Sequence, residues 1–157
     1  CISDAYFELP WNVDSGLFYE KDSGVGEQYL RGNMHSEIIG PKNGSFISHE
    51  LRLGLFLLDP YVFYQDHKHE APELYINLTK GAKWRFEKLS WQEKGSGSII
   101  YNKPNRVHAM KTNEFPFLSV WCWPTNSEKK CVLVFPFLLI LKSAIKFEFL
   151  KASLYSV

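Results

Sequence analysis

Apolar and polar positions alternate through the middle of the chain. The clearest case is 73–79, where Glu73, Tyr75, Asn77 and Thr79 fall on one side and Leu74, Ile76 and Leu78 on the other, the period-two signature of a strand. Gly81 ends that run, and 83–89 is expected to return beside it as its partner strand. Further extended runs cover 36–39, 45–56, 57–65 (interrupted at Asp59-Pro60), 98–101, 108–111 and 117–123. Turn-forming clusters stand between them: Gly40-Pro41-Lys42-Asn43-Gly44, Lys94-Gly95-Ser96-Gly97 and Pro104-Asn105-Arg106. Residues 1–33 are turn-rich, broken by Pro10, Gly16, Gly24, Gly26 and Gly32, with room for a helix over 26–34. Many short strands with little helix predict an all-β domain, an antiparallel sandwich or small barrel.

The end of the chain breaks this pattern. Residues 131–141 read CVLVFPFLLIL, an apolar run interrupted by Pro136 and followed by Lys142, Lys146, Glu148 and Lys151. It is too short for a membrane span of about 20 residues. The expected organisation is an N-terminal extension over 1–35 packing on a barrel over 36–124, with an atypical tail over 125–157 that is not assigned to the barrel.

Bulk properties narrow the classes. At 157 residues the chain fits one domain with a real core. Aromatics make up 16%, with twelve Phe, eight Tyr and five Trp, which suits a β-rich interior or a ring-lined pocket. The formal net charge of +1 comes with no basic stripe, so neither nucleic acid nor anionic membrane is an expected partner. Cys1, Cys122 and Cys131 are odd in number and form no CxxC pair, which argues against a disulfide framework and for a reducing compartment. The chain begins at Cys1 without Met, and a fragment whose true N-terminus is missing is expected.

One stretch carries candidate chemistry: Asp66-His67-Lys68-His69-Glu70-Ala71-Pro72-Glu73-Leu74-Tyr75, answered by His108. His67 and His69 are spaced so that a strand projects both to one face. Glu73 and Tyr75 share a face of the next strand with Asn77, where an ordinary half-buried strand carries apolar residues. Three imidazoles and one carboxylate suit a divalent transition metal. The other reading of the same residues is a polar row on the solvent face of a sheet.

These residues resemble the paired motifs of the cupin superfamily: His67-x-His69-x-x-x-Glu73, then Gly81, then Gly97 and Pro104 before His108. Tyr61 stands where the first motif opens with glycine, and Gly81 falls one residue late. Within cupins, the chain from Ser36 to Trp123 is similar to the cupin-type dimethylsulfoniopropionate lyases. The resemblance runs through Glu37-Ile38-Ile39-Gly40-Pro41, Gly54-Leu55-Phe56, Tyr64 with the His pair, Glu73-Leu74-Tyr75, Gly81-Ala82-Lys83-Trp84, His108-Ala109-Met110 and Trp121-Cys122-Trp123.

The resemblance implies a cupin-like antiparallel β-barrel (double-stranded β-helix or jelly roll) with a short irregular or helical N-terminal segment. It implies a carbon–sulfur lyase acting on dimethylsulfoniopropionate, with a divalent metal (Fe, Mn, Zn, Co or Ni) on His67, His69, Glu73 and His108. Tyr75 would be the base, because a cation near a phenol favours phenolate, and Tyr64 would bind the substrate carboxylate or assist proton transfer. Trp84, Trp121, Trp123 and Tyr101 are candidates for an aromatic wall facing the sulfonium. Each is also explained by packing alone. Asn77 and Lys83 would orient substrate or serve structure, and His35 and His49 are expected as surface or hydrogen-bonded core histidines. The competing functions are a cupin dioxygenase or isomerase, and a cupin that binds a small ligand without turnover. The expected setting is the cytoplasm, with a small-molecule substrate and, as one option, a second copy of the chain as partner.

Overall fold

The structure, a computed structural model, describes residues 4, 6–14, 18–20 and 23–135. Its elements in chain order are β1 (Trp11–Asn12), α1 (Glu27–Gly32), β2 (Asn33–Gly40), β3 (Phe46–Ile47), β4 (Arg52–Leu58), β5 (Phe63–Lys68) and β6 (Glu73–Asn77). There follow β7 (Ala82–Phe86), β8 (Gln92–Glu93), β9 (Ile99–Asn102), β10 (His108–Thr112), β11 (Phe117–Trp123) and β12 (Val132–Leu133). A seven-stranded sheet runs β1-β2-β4-β11-β6-β9, with β3 added beside β2, and a five-stranded sheet runs β12-β5-β10-β7-β8. All pairings are antiparallel except β2 with β3.

The alternation in sequence becomes a division between core and outer face. In β11, Phe117, Ser119, Trp121 and Trp123 are buried, and the residues between them are half-buried. Phe56, Leu58, Trp84 and Phe117 reach complete burial, each worth roughly 1.5–3 kcal/mol in apolar transfer. Register carries this across strands. Tyr75 of β6 lies opposite Trp121 of β11, Trp121 opposite Gly54 of β4, and Gly54 opposite Glu37 of β2. A Cβ at Gly54 would collide with the Ser36 carbonyl, so glycine there lets β2 and β4 approach where β2 shifts register.

Two expectations need correction. The strand β7 does not pair with β6; it joins β10 and β8 in the other sheet, because the turn at Gly81, with φ of +105°, carries the chain across the barrel. The partners of β6 are β11 and β9. The extended run at 45–56 is two strands, divided where the Leu51 amide donates to Ser48 Oγ. Tyr61, at the glycine position of the cupin motif, holds φ of +59°; its side chain is exposed and meets no crowding to add to the backbone strain.

The N-terminal segment and the described part of the tail meet beside β5. Cys131 donates its amide to the Phe18 carbonyl at 2.8 Å, and β12 pairs with the end of β5 at Lys68 and His67. Residues 136–157, most of the expected tail, lie outside the described residues. Cys122 and Cys131 are free thiols. Among the described residues no helix is long and apolar enough to cross a membrane.

Candidate active site

The candidate ligands come from both sheets and meet between them. His67 on β5 and His108 at the start of β10 are direct cross-strand partners, so their side chains share a face, with ring centroids 4.1 Å apart. His69 follows the end of β5, and the turn through Ala71-Pro72 brings Glu73 in at the head of β6. All four side chains are buried. The nitrogens that His67, His69 and His108 offer lie within 4.8 Å of one another. The alternation of the chain leaves this row open between a metal site and a solvent face; burial rules out the solvent face.

Hydrogen bonds fix the imidazole tautomers. Nδ1 of His67, His69 and His108 lies 2.8, 2.7 and 2.8 Å from the carbonyls of Gln65, Ala71 and Arg106. A carbonyl only accepts, so each Nδ1 carries the proton and each neutral ring keeps its lone pair on Nε2. Yet Nε2 of His69 and of His108 stand 3.3 and 3.2 Å from the same oxygen, Glu73 Oε2, and His108 Nε2 has no hydrogen-bond partner. Lone pairs directed at a buried carboxylate repel it unless a cation or a proton lies among them. The donor set therefore fits a divalent metal on chemistry as well as on spacing.

Glu73 is held on its other sides. Trp123 Nε1 donates to Oε1 at 2.8 Å, and Asn102 Nδ2 donates to Oε2 at 2.9 Å. Burial alone would raise the Glu73 carboxyl, but His69 and His108 outweigh it and hold it well below the usual carboxylate range. For His69 burial works downward and the Glu73 carboxylate overrides it, so its pKa is raised. His67 is pushed well below the ordinary histidine value by burial, then by His108 and His69. Tyr75 is pushed well above the usual phenol by burial and by the Glu73 carboxylate. Its phenolate form therefore requires a nearby cation.

Tyr64 and Tyr75 line the same pocket as His67, His69 and Glu73. Tyr64 stacks on His67 with centroids 4.1 Å apart, and its hydroxyl lies 2.5 Å from that of Tyr19. Of the wall candidates, Trp121 and Trp123 line the pocket. Trp84 is a fully buried core residue packed on Tyr75, and Tyr101 is 51% exposed on the outer side of β9. Lys83 pairs with Glu93 at 3.1 Å, Asn77 bonds the Lys94 carbonyl, and His49 is exposed beside Glu128.

The pocket also contains residues that no sequence pattern marks: Phe18, Tyr29, His35 and Cys131 line it, and Asn102 supports Glu73 from β9. None belongs to a spaced motif. Only the strand period at 98–101 hints at the element that carries Asn102.

Two facing sheets closed around a buried histidine–glutamate cluster are the arrangement of a cupin, and solved structures superpose on the chain. A cupin-like protein from Thermotoga maritima matches with a TM-score of 0.56 at 12% identity, covering 65% of this chain and 75% of that one. The DMSP lyase DddQ from Ruegeria pomeroyi matches with a TM-score of 0.69 at 22% identity, covering 85% of this chain and 64% of that one. At these identities the superpositions establish the fold alone. The model of the dimethylsulfoniopropionate lyase family matches residues 9–119, and the chain belongs to that family. By sequence it is 26% identical over 95 residues to dimethylsulfoniopropionate lyase DddQ of Ruegeria pomeroyi, covering 60% of this chain and 47% of the relative. The chain thus spans about half the length of the curated relative it matches.

Proposed function

We propose that the chain cleaves dimethylsulfoniopropionate to dimethyl sulfide and acrylate, with Tyr75 as the base. The observation that carries this reading is the placement of Tyr75 in one buried pocket with His67, His69 and Glu73, in a chain of this family. Held by His67, His69, Glu73 and His108, a divalent transition metal (Fe, Mn, Zn, Co or Ni) would act as a Lewis acid for the substrate carboxylate and favour the Tyr75 phenolate.

The elimination balances simply. Tyr75 oxygen takes the proton α to the carboxylate, the C–H electron pair becomes the new C=C bond, and the Cβ–S pair leaves on sulfur as dimethyl sulfide. Acrylate remains, and the proton on Tyr75 is returned to solvent in the next step. Tyr64, whose hydroxyl contacts that of Tyr19, would bond the substrate carboxylate or pass that proton on. The aromatic faces of Trp121 and Trp123 suit a cation with no hydrogen-bond donor, worth roughly 0.5–2 kcal/mol per ring.

The test is headspace measurement of dimethyl sulfide from purified protein loaded in turn with Fe, Mn, Zn, Co and Ni. Equimolar dimethyl sulfide and acrylate are expected with at least one metal. Release with none of them would overturn the proposal.

A further inference from the structure

A second set of buried polar groups, separate from the four candidate ligands, lies at the wall of the same pocket. Tyr29 Oη donates to Asp14 Oδ2 at 3.0 Å, because a carboxylate has no proton to give. The single hydroxyl proton of Tyr29 is thereby used. Its oxygen also lies 3.4 Å from His35 Nε2, and toward that atom it can only accept. His35 therefore carries its proton on Nε2, the tautomer opposite to that of His67, His69 and His108. Nδ1 is left as a bare lone pair, shut from solvent and without a partner.

The surroundings of this imidazole are apolar and aromatic. Its ring stacks on Phe56 at 4.6 Å, meets Phe18 at 5.0 Å and stands edge-on to Trp121 at 6.0 Å. Burial lowers its pKa to about 4, with Asp14 and Glu73 acting upward and Arg52 downward, so the ring is neutral at neutral pH. Among the described residues the cation that acts on His35 is Arg52; it lies 4.7 Å over one face of Phe18 and is ion-paired with Glu37 at 2.6 Å. An anion placed here would meet a lone pair and π clouds, with the Asp14 carboxylate behind Tyr29. A soft cation would find all of them favourable.

We propose that His35, fixed in this tautomer by Tyr29 and Asp14, is the specificity-determining residue that makes the pocket select a carboxylate bearing a positively charged onium group over an uncharged ligand of the same shape. This rests on the proposed function for the carboxylate end, which goes to the cluster of His67, His69, Glu73 and His108. The onium end falls to His35, Phe18 and Trp121.

The experiment compares two unreactive ligands of matching shape, 3-(trimethylammonio)propionate and 4,4-dimethylpentanoate. They are titrated against the zinc-loaded full chain by tryptophan fluorescence, which Trp121 and Trp123 report from the pocket wall. Wild type is expected to favour the cation. In His35→Leu the ratio of the two affinities should fall about three- to thirtyfold, and His35→Gln, which restores an acceptor, should recover part of it. Tyr29→Phe keeps the imidazole but frees its tautomer and should lower the ratio less. A purely structural role would weaken both ligands equally and leave the ratio unchanged in His35→Leu, which overturns the inference, as does a wild type without preference. Should His35→Leu not fold, an unchanged ratio in Tyr29→Phe overturns it equally. A protein that keeps the ratio but releases no dimethyl sulfide fails as a lyase and retains His35 as its cation selector.

Discussion

Trp123 and Glu73 are joined by an indole N–H···Oε1 hydrogen bond of 2.8 Å, and the same indole packs 4.7 Å from the His69 ring. The last residue of β11 thus orients one candidate ligand and braces another. Trp123→Phe keeps an aromatic ring but removes the donor. Metal affinity should fall about 10–100-fold, as expected when a partner of a ligand is lost, while the far-ultraviolet circular dichroism stays that of the wild type. Competition against a fluorescent zinc chelator measures it. Unchanged affinity would mean that Asn102 alone holds the carboxylate.

Tyr75 lies in the pocket but is pushed away from ionisation by burial and by Glu73. Tyr75→Phe removes the proposed base without adding charge or volume. Turnover of dimethylsulfoniopropionate should drop by about 10²–10⁴, with bound metal per chain unchanged by elemental analysis. Surviving turnover would place the base elsewhere, with Tyr64 the next residue to test.

Much of this site is legible in the sequence because it is local. His67, His69 and Glu73 sit within a few residues of one another, and the two-residue period of β6 by itself puts Glu73 and Tyr75 on one face. The pairing of β6 is not legible: its neighbour β11 lies roughly 40 residues on, and nothing at 83–89 signals that the Gly81 turn crosses to the other sheet. Asp14, Tyr29 and His35 escape for another reason. They lie on a loop, a six-residue helix and a strand, so no single period relates them, and only the packing of the N-terminal segment on the barrel brings them together. Among the aromatics, composition suggests a ring-lined pocket. It does not separate Trp121, which lines the pocket, from Trp84, which fills the core.

Metal-free protein should lose stability as pH falls from about 6.5 to about 4. Burial depresses His35, to about 4, and His67 in the folded state, so below the unfolded pKa the unfolded chain binds protons that the folded one refuses. His69 does not act in this window: its pKa is raised, so its contribution is full below the unfolded value and lost only as pH rises through the folded one. Glu73 is depressed and loses its contribution only in stronger acid. The two depressed histidines therefore set the acid loss, at most about 1.4 kcal/mol per pH unit for each site. Urea midpoints of chelator-treated protein near pH 7 and near pH 5 should differ in wild type. In His35→Phe, which keeps the stack on Phe56, the difference should shrink. Equal differences in the two proteins would show that His35 takes no part.

Glu37 and Arg52 form the buried ion pair that ties β2 to β4, with Nε 2.6 Å from Oε1 and side chains 7% and 9% exposed. The Arg52 guanidinium lies 4.7 Å above the Phe18 ring, so the pair also supports the pocket wall. Two charges taken out of water gain little net stability together, but leaving one of them unpaired is costly. Arg52→Met strands the Glu37 carboxylate, whose Oε2 already lacks a partner, and should cost about 3–5 kcal/mol. Glu37→Leu combined with Arg52→Met removes both charges and should recover most of that loss. Urea unfolding of the two single variants and the double variant measures the coupling. If the double variant were as unstable as the sum of the singles, the pair would not be the contact that joins these strands, and the support of Phe18 would have to come from the β-ladder alone.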